Sequence, residues 1–196
     1  MTAWYEVSNV GQFLGRIANI YIWNGYTRYA VRHIPSDKSP QAVDTKILSC
    51  YHITQCRMTR MRHAARGEAK VGYIRFGRTF ILVATTGKHK AFGRIQSHDF
   101  YTSPLHYYHY SVGIRNQKPC IRIAHKTWKW AEHRISKMAL HDHDKVQQAL
   151  QDLPYYNFVG VQEQKRHLIA HINARRKRAG LPLISNQNIL PKDGTM

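Results

Sequence analysis

The chain has 196 residues, and hydrophobic residues make up 43% of them, which excludes a wholly disordered polypeptide. Its 30 Lys and Arg against 11 Asp and Glu give a formal net charge of +19, so the chain repels itself unless a polyanion neutralises it. Nucleic acid is the commonest such partner, and we expect a nucleic-acid-binding protein.

The first predicted element is a β-hairpin in the stretch "FLGRIANIYIWNGYTRYAVRHIP". Asn24 and Gly25 favour a tight turn with positive φ, so residues 20–23 and 28–33 are the predicted arms. The polar run that begins at Pro35 ends the hairpin.

Apolar residues at helical spacing then predict a helix that begins near Gln41. Its inward stripe consists of Val43, Ile47, Leu48 and Tyr51. Asp44 and Lys46 are expected to face solvent.

A second, arginine-rich helix is predicted in "TQCRMTRMRHAARGEAK", with Thr54 as its N-cap and Gly67 as its stop. Its expected inward residues are Met58, Met61 and Ala65. Because only about three residues would separate the two helices, the pair has the layout of a helix-turn-helix. The second helix would then enter the major groove of DNA.

Two further hairpins are predicted after these helices. The segments "VGYIRF" and "TFILVAT" flank Gly77 and Arg78, and the second segment is apolar enough for a central strand. The basic loop "TGKHKAFGR" follows, and then "YYHYSVGIR" and "CIRIAH" form the other hairpin, which turns at residues 116–118.

The C-terminal part predicts two helices. The first is capped by Thr127 and runs toward Leu153; the second spans about residues 159–179, with Gly180 after its end. The predicted fold class is α/β (α+β): a mainly antiparallel sheet of hairpins, a possible helix-turn-helix before it and two C-terminal helices packed on it. We predict a nucleic-acid-binding domain over residues 1–155, a basic helix over 156–180 and a loose polar tail over 181–196.

Basic residues gather in three clusters, which are the candidate nucleic-acid contacts because Arg and Lys neutralise phosphate. The first cluster is Arg57, Arg60, Arg62, Arg66 and Lys70. The second cluster is Arg75, Arg78, Lys88, His89, Lys90 and Arg94. The third cluster is Lys165, Arg166, Arg175, Arg176, Lys177 and Arg178. For the third, a helix C-terminus that simply favours cations is the alternative interpretation.

Aromatic residues interleave with these charges and could stack on unpaired bases. The candidates are Tyr107, Tyr108, Tyr110 and Trp130. Trp128 is expected to pack in the core instead.

A nuclease or transposase-like nickase that acts on nucleic acid is the enzymatic alternative. The segment "HDHD" at residues 141–144 is the densest group of potential metal ligands, and His167 and His171 lie one helical turn apart. No motif joins these residues to the other aspartates, so no catalytic residue or metal site is assigned. No cofactor is expected, except a divalent metal if the nuclease alternative holds.

The sequence also predicts a location. "MTAWYEVSNV" has no charged leader before an apolar run, and the three cysteines do not suggest a disulfide framework. We expect a cytoplasmic or nucleoid-associated protein, not secreted, whose partner is DNA or RNA within a nucleoprotein or mobile-element complex. Binding at a membrane surface is the weaker alternative to nucleic acid, because no long apolar run or basic amphipathic anchor is present.

Overall fold

The computed structural model describes residues 3–154 and 156–185, and the chain divides into two compact units. The first unit comprises residues 1–104 and 113–119, and the second comprises residues 105–112 and 120–196. The described residues form six α-helices and two mainly antiparallel sheets, which confirms the predicted α+β class. The predicted division at residues 155 and 180 remains a prediction.

The first unit is built on a five-stranded sheet. Its strands are β1 (Glu6–Val7), β2 (Tyr26–His33), β3 (Val71–Phe76), β4 (Thr79–Thr85) and β5 (His98–Asp99). The strand order is β1–β3–β4–β2–β5, in which only β1 and β3 are parallel. The predicted hairpin of β3 and β4 is confirmed, and β4 is the buried central strand that its apolar sequence predicts.

The segment before β2 is helical, so the predicted hairpin around Asn24 is wrong. It consists of α1 (Val10–Arg16), a π-helical turn (Ile17–Tyr21) and a 3-10 turn (Ile22–Asn24). Its buried stripe is Phe13, Leu14, Ile17, Ala18 and Ile22. This spacing is helical, and Gly25, at φ 83°, ends the helical segment instead of forming a β-turn.

Helices cover both faces of this sheet. The ring of Tyr21 lies so close to β3 that a Cβ on Gly72 would come within 2.4 Å of it, which explains the glycine. On the other face, α2 (Pro40–Cys50) packs Ile47 against Tyr73 and Leu82 in one apolar cluster. The inward stripe of α2 is therefore confirmed.

The arginine-rich helix, α3 (Arg57–Ala65), differs from its prediction at one end. It begins after Cys56 and not at Thr54, and its predicted inward residues Met58, Met61 and Ala65 are exposed. Gly67, at φ 76°, follows its end as predicted. Residues 51–56 join α2 to α3, a longer connection than the expected helix-turn-helix has.

Three further strands form the second sheet, with order β6–β7–β8. They are β6 (Leu105–Tyr107), β7 (Tyr110–Arg115) and β8 (Lys118–Ile123). Asn116 and Gln117 have φ of 49° and 60°, as the two central residues of a tight hairpin turn require. The predicted hairpin of β7 and β8 is therefore confirmed.

The helices of the second unit share one core. They are α4 (His125–Met138), α5 (His143–Gln151) and α6 (Val159–Arg178). The prediction of one helix capped by Thr127 is wrong. The helix α4 begins at His125 and ends at Met138, and a second helix, α5, begins after Asp142, which is its N-cap. The last helix is confirmed as α6, with Gly180 at φ 67° after its end.

The start of the predicted loose tail is ordered by α6. Ile184 is buried, and the side chain of Asn173 forms hydrogen bonds with both its backbone amide and its carbonyl. Residues 186–196 of that tail lie outside the described residues. Within the described parts of the chain, none of the helices combines the length and apolar character that crossing a membrane requires.

Candidate nucleic-acid interface

The helix α3 buries none of its nine residues. Only Thr59 and His63 are half-buried, and they mark the side that faces the rest of the unit. At about 100° per residue, the opposite side centres on Met61, with Arg57 and Arg60 toward one edge. Arginines and an apolar thioether therefore share one solvent-facing surface.

The C-terminal end of α3 is attached to the basic loop after β4. The amide of Ala69 donates to the carbonyl of Lys88 at 3.0 Å, and the amide of Lys88 donates to the carbonyl of Gly67 at 3.1 Å. These backbone bonds place Arg66 and Lys70 of the first cluster beside Lys88 of the second. The structure thus joins two segments that the sequence separates.

At the same end of α3, a side chain of the helix contacts the only acid that follows the helix in this segment. Nδ1 of His63 lies 2.5 Å from Oε2 of Glu68, and both side chains are partly exposed. The hydrogen bond from His63 holds the pKa of the Glu68 carboxyl below its ordinary value, and Arg66 contributes in the same direction. Glu68 is the only acid in this segment, and it is used by the histidine and not by an arginine.

A half-buried arginine, which is not among the predicted contacts, supports the loop. Arg28 on β2 donates through Nη2 to the carbonyls of Thr85 at 2.9 Å and Gly87 at 2.8 Å. Its guanidinium also lies 5.4 Å from the centre of the Phe92 ring. No local sequence pattern distinguishes Arg28, because its acceptors are more than fifty residues away along the chain.

The exposed arginines of α3 have no carboxylate partner in the part of the chain that the structure describes. There, the ion pairs are Arg75 with Glu6 and Asp44, His63 with Glu68, Lys129 with Glu132 and His143 with Asp144. Arg57, Arg60 and Arg62 take part in none of them and are exposed. Their positive charge is therefore free for an external anion.

His89 is half-buried and has a structural role, and a phosphate contact at this residue stays a prediction. Its ring stacks on Tyr51 with centroids 5.9 Å apart, and its Nδ1 accepts a hydrogen bond from the amide of Phe92 at 3.1 Å. Burial, with a further contribution from His52, lowers its pKa. The imidazole therefore holds the loop against the turn after α2.

Arg75 of the second cluster is wrong as a phosphate contact, because it is buried. Its Nε donates to Asp44 at 3.0 Å, and an Nη2 atom pairs with Glu6 at 3.0 Å. Tyr73 also donates to Asp44, which was expected to face solvent. This network joins α2 to β3 and β1.

Arg78 is half-buried and its guanidinium is used within its own unit, so a phosphate contact at this residue stays a prediction. Its guanidinium donates to the carbonyls of Pro35 at 2.6 Å, Lys38 at 3.2 Å and Ser36 at 3.3 Å. It fixes the loop that leads into α2. Of the second cluster, Lys88, Lys90 and Arg94 remain exposed.

The third cluster is divided between core and surface. Arg176 is 1% exposed and donates to the carbonyls of Ala139, His141 and Pro182. Lys165 is buried too, and desolvation lowers its pKa to about 8. Both are wrong as surface contacts.

Three members of the third cluster keep exposed cations. Arg175 is half-buried and donates to the carbonyl of Ser136. The exposed members are Arg166, Lys177 and Arg178. Arg166 donates to Gln162 on its own helix at 2.8 Å, and its side chain stays at the surface.

Two of the four stacking candidates are exposed. Tyr108 and Trp130 have 71% and 63% of their surface accessible, whereas Tyr110 is buried beside Tyr156 and is wrong as a stacking residue. Tyr107 is half-buried and makes an edge-to-face contact with Tyr108 at 5.0 Å. Trp128 packs against the core as expected.

No group of three or more His, Cys, Asp or Glu side chains that could hold a metal ion occurs among residues 3–154 and 156–185. His167 and His171 lie at the exposed face of α6, and Asp142 serves as the cap of α5.

No known protein family matches the chain, and no curated protein is similar enough in sequence to count as a relative.

Proposed function

We propose that the protein binds nucleic acid through the exposed face of α3 and the adjoining loop at Lys88. The observation that carries the proposal is that α3 has four arginines on or next to it and no buried residue, and that no carboxylate of residues 3–154 and 156–185 pairs with Arg57, Arg60 or Arg62. Such a surface favours a polyanion, because phosphate neutralises the guanidinium groups and releases counterions.

The lack of buried residues in α3 also supports a docked partner. A nine-residue helix is marginal in water without an apolar face packed on a core, and no side chain caps its first turn. An α-helix with its side chains is about 10–12 Å across, and the DNA major groove is about 12 Å wide. Insertion into that groove would give α3 the packing that its own unit does not provide.

Residues of this surface would have two roles. Arg57, Arg60 and Arg62 would reach phosphates or guanine edges, while the exposed thioethers of Met58 and Met61 would contact base methyl groups or sugars. The second group, at the base of α3, would contact the phosphate backbone and consists of Arg66, Lys70, Lys88, Lys90 and Arg94. A cytoplasmic or nucleoid complex with DNA or RNA remains the predicted setting.

The test is a salt titration of binding to duplex DNA, single-stranded DNA and structured RNA. The variant is the triple substitution Arg57→Ala, Arg60→Ala and Arg62→Ala. Each lost phosphate contact lowers the slope of log K against log salt by about 0.9 on duplex DNA. The proposal predicts a clear reduction of the slope for at least one of these ligands.

The matched control is Lys38→Ala, Arg115→Ala and Lys118→Ala, which removes the same charge from exposed positions outside the clusters. We expect the control to keep the slope of the native chain within about one contact. If both triple variants lower the slope equally, the binding follows total charge and α3 is not the interface.

A nuclease is the second candidate, and His63 is the observation that favours it. Glu68 occupies Nδ1 of His63, and Nε2 has no hydrogen-bond partner among the described residues. A carboxylate that orients an imidazole beside arginines is an arrangement typical of a general base. The test is incubation with RNA and DNA in EDTA, magnesium or manganese; cleavage that His63→Ala abolishes would support this candidate, and intact substrates under all conditions would refute it.

A further inference from the structure

A surface groove runs between α4 and α6 in the second unit. Its lining residues are Lys129, Glu132, His133, Ser136 and His171, and its volume is about 380 Å³. None of these residues belongs to the three basic clusters or to the α3 surface.

The two walls of this groove are fixed to each other. Ala131 and Ile135 of α4 are buried with Leu168 of α6 in one apolar cluster. At the surface, Arg175 of α6 donates a hydrogen bond to the carbonyl of Ser136 on α4. Because packed cores resist deformation, the side chains that line the groove keep their spacing before any ligand binds.

The two helices that form the groove are basic. Their exposed cations are Lys126, Lys129, Arg134 and Lys137 on α4 and Arg166, Lys177 and Arg178 on α6. Glu132 is already paired with Lys129 at 3.2 Å, and Glu163 is the one further acid on these two helices. The excess of cations on the two helices therefore favours the approach of a polyanion.

The same helix carries an exposed aromatic platform, Trp130. It follows Lys129 on α4 and exposes 63% of its surface. The guanidinium of Arg134, one turn further along the helix, lies 5.3 Å from the centre of the Trp130 ring. This cation–π contact restrains the indole at the surface, where an apolar ring would otherwise be unfavourable.

We propose that this groove is a second nucleic-acid site, and that its ligand is a single strand. A phosphodiester group would accept hydrogen bonds from Lys129, His133 and His171, and the neighbouring base would stack on Trp130. The inference takes its class of ligand from the proposed function, but it uses no residue of α3.

The pairing of phosphate donors with an exposed indole selects a single strand over other polyanions. In duplex nucleic acid the base faces are stacked on each other, so Trp130 would gain no partner. A phosphopeptide would supply the charge without a base. Only an unpaired strand uses both the groove and the platform.

The experiment measures binding of a fluorescein-labelled oligothymidylate and of a labelled duplex to the full chain. The groove variant is Lys129→Ala, His133→Ala and His171→Ala, and the platform variant is Trp130→Ala. The control variant is Lys145→Ala, His109→Ala and His141→Ala, which removes the same residue types from exposed positions in the second unit.

We expect the groove variant to bind oligothymidylate at least tenfold more weakly and Trp130→Ala about fivefold or more weakly. Both should bind the duplex within twofold of the native chain, and the control should match the native chain on both ligands. Native affinity of both variants for oligothymidylate would overturn the inference, and so would equal losses on oligothymidylate and duplex.

A phosphopeptide competitor completes the test. Displacement of oligothymidylate by a phosphopeptide of equal charge would show a general anion site and overturn the single-strand assignment.

Failure of the proposed function of α3 is distinguishable from failure of the groove inference. An Arg57, Arg60 and Arg62 variant with a native salt slope would remove α3 as an interface and leave the groove result unchanged.

Discussion

The two arginine-rich helix ends of this chain look alike in sequence and differ in structure. In "RMTRMRHAAR", which covers α3 and Arg66, the arginines are exposed and form no ion pair with any carboxylate that the structure describes. In "ARRKR" at the end of α6, Arg176 is 1% exposed and Arg175 donates to the carbonyl of Ser136. The first segment presents its charge outward, and the second uses part of its charge to hold its own unit together.

The difference comes from what each helix packs against. The helix α6 has an apolar stripe that is buried in a core, and Arg176 lies one turn after Ile172 on that stripe. Its guanidinium therefore reaches the backbone carbonyls of Ala139, His141 and Pro182. The helix α3 has no such stripe, so its arginines stay in solvent. A basic segment can bind an external anion only when its side chains are exposed and are not bonded within their own unit.

The largest effect is expected where a buried arginine has a buried acid. Asp44→Asn removes the buried one of the two carboxylates that pair with Arg75. Because Glu6 remains, we expect a loss of about 3 kcal/mol, the lower end of the range for breaking a buried pair. Asp37→Asn, at an exposed position, should cost less than about 0.5 kcal/mol. Urea unfolding measures both, and equal stabilities would show that the network around Arg75 is not structural.

Arg176→Met tests the comparison directly. It removes charged donors from three carbonyls while keeping much of the side-chain volume, so we expect a loss of about 3 kcal/mol in the free energy of unfolding. Arg178→Ala, two residues later and exposed, is the matched variant and should stay within about 0.5 kcal/mol. A similar small loss for both would place Arg176 at the surface.

Lys165→Met sharpens the comparison through pH. Burial lowers the pKa of Lys165 to about 8, against about 10.4 in the unfolded chain. The unfolded state therefore binds more protons between these values, and the stability of the native chain should rise with pH from about 8 to about 10.4. Lys165→Met should be more stable than the native chain at pH 7, and the advantage should shrink over this window. A pH-independent difference would contradict the burial of the amine.

The smallest effect on stability is expected on α3. Arg62→Ala removes no hydrogen bond or ion pair among the described residues and should change the free energy of unfolding by less than about 0.5 kcal/mol. Its effect should appear in nucleic-acid affinity instead. Thermal unfolding and a binding titration on the same sample compare the two, and a large loss of stability would mean that Arg62 has a structural contact.

Local patterns predicted the elements whose partners are close in sequence. The hairpin of β3 and β4 follows from two β-rich segments around Gly77, and α6 follows from Leu168, Ile169 and Ile172 at helical spacing. The helical segment at residues 10–24 is not predicted, because the pair Asn24-Gly25 is a strong hairpin signal and lies next to its apolar stripe. Aspartate is a typical N-cap residue, so Asp142 could have predicted that a new helix begins after it.

The candidate site was only partly predictable, for a physical reason. Arg75 meets Asp44 across 31 residues, and Arg176 meets Ala139 across 37, so no local pattern shows that these charges are used. The loop at Lys88 joins α3 through backbone bonds, which side-chain patterns do not encode. The prediction that a basic residue is exposed therefore holds for the arginines of α3, and it fails for Arg75 and Arg176, whose acceptors are distant in sequence.

Amide hydrogen exchange on α3 tests the central claim most directly, namely that its surface is kept free for nucleic acid. In the free protein we expect residues 57–65 to exchange fast, since none of them is buried, and saturating nucleic acid should slow them at least about tenfold. The amides around Arg176 should not change. Slow exchange of α3 in the free protein, or no change on saturation with DNA or RNA, would contradict the account.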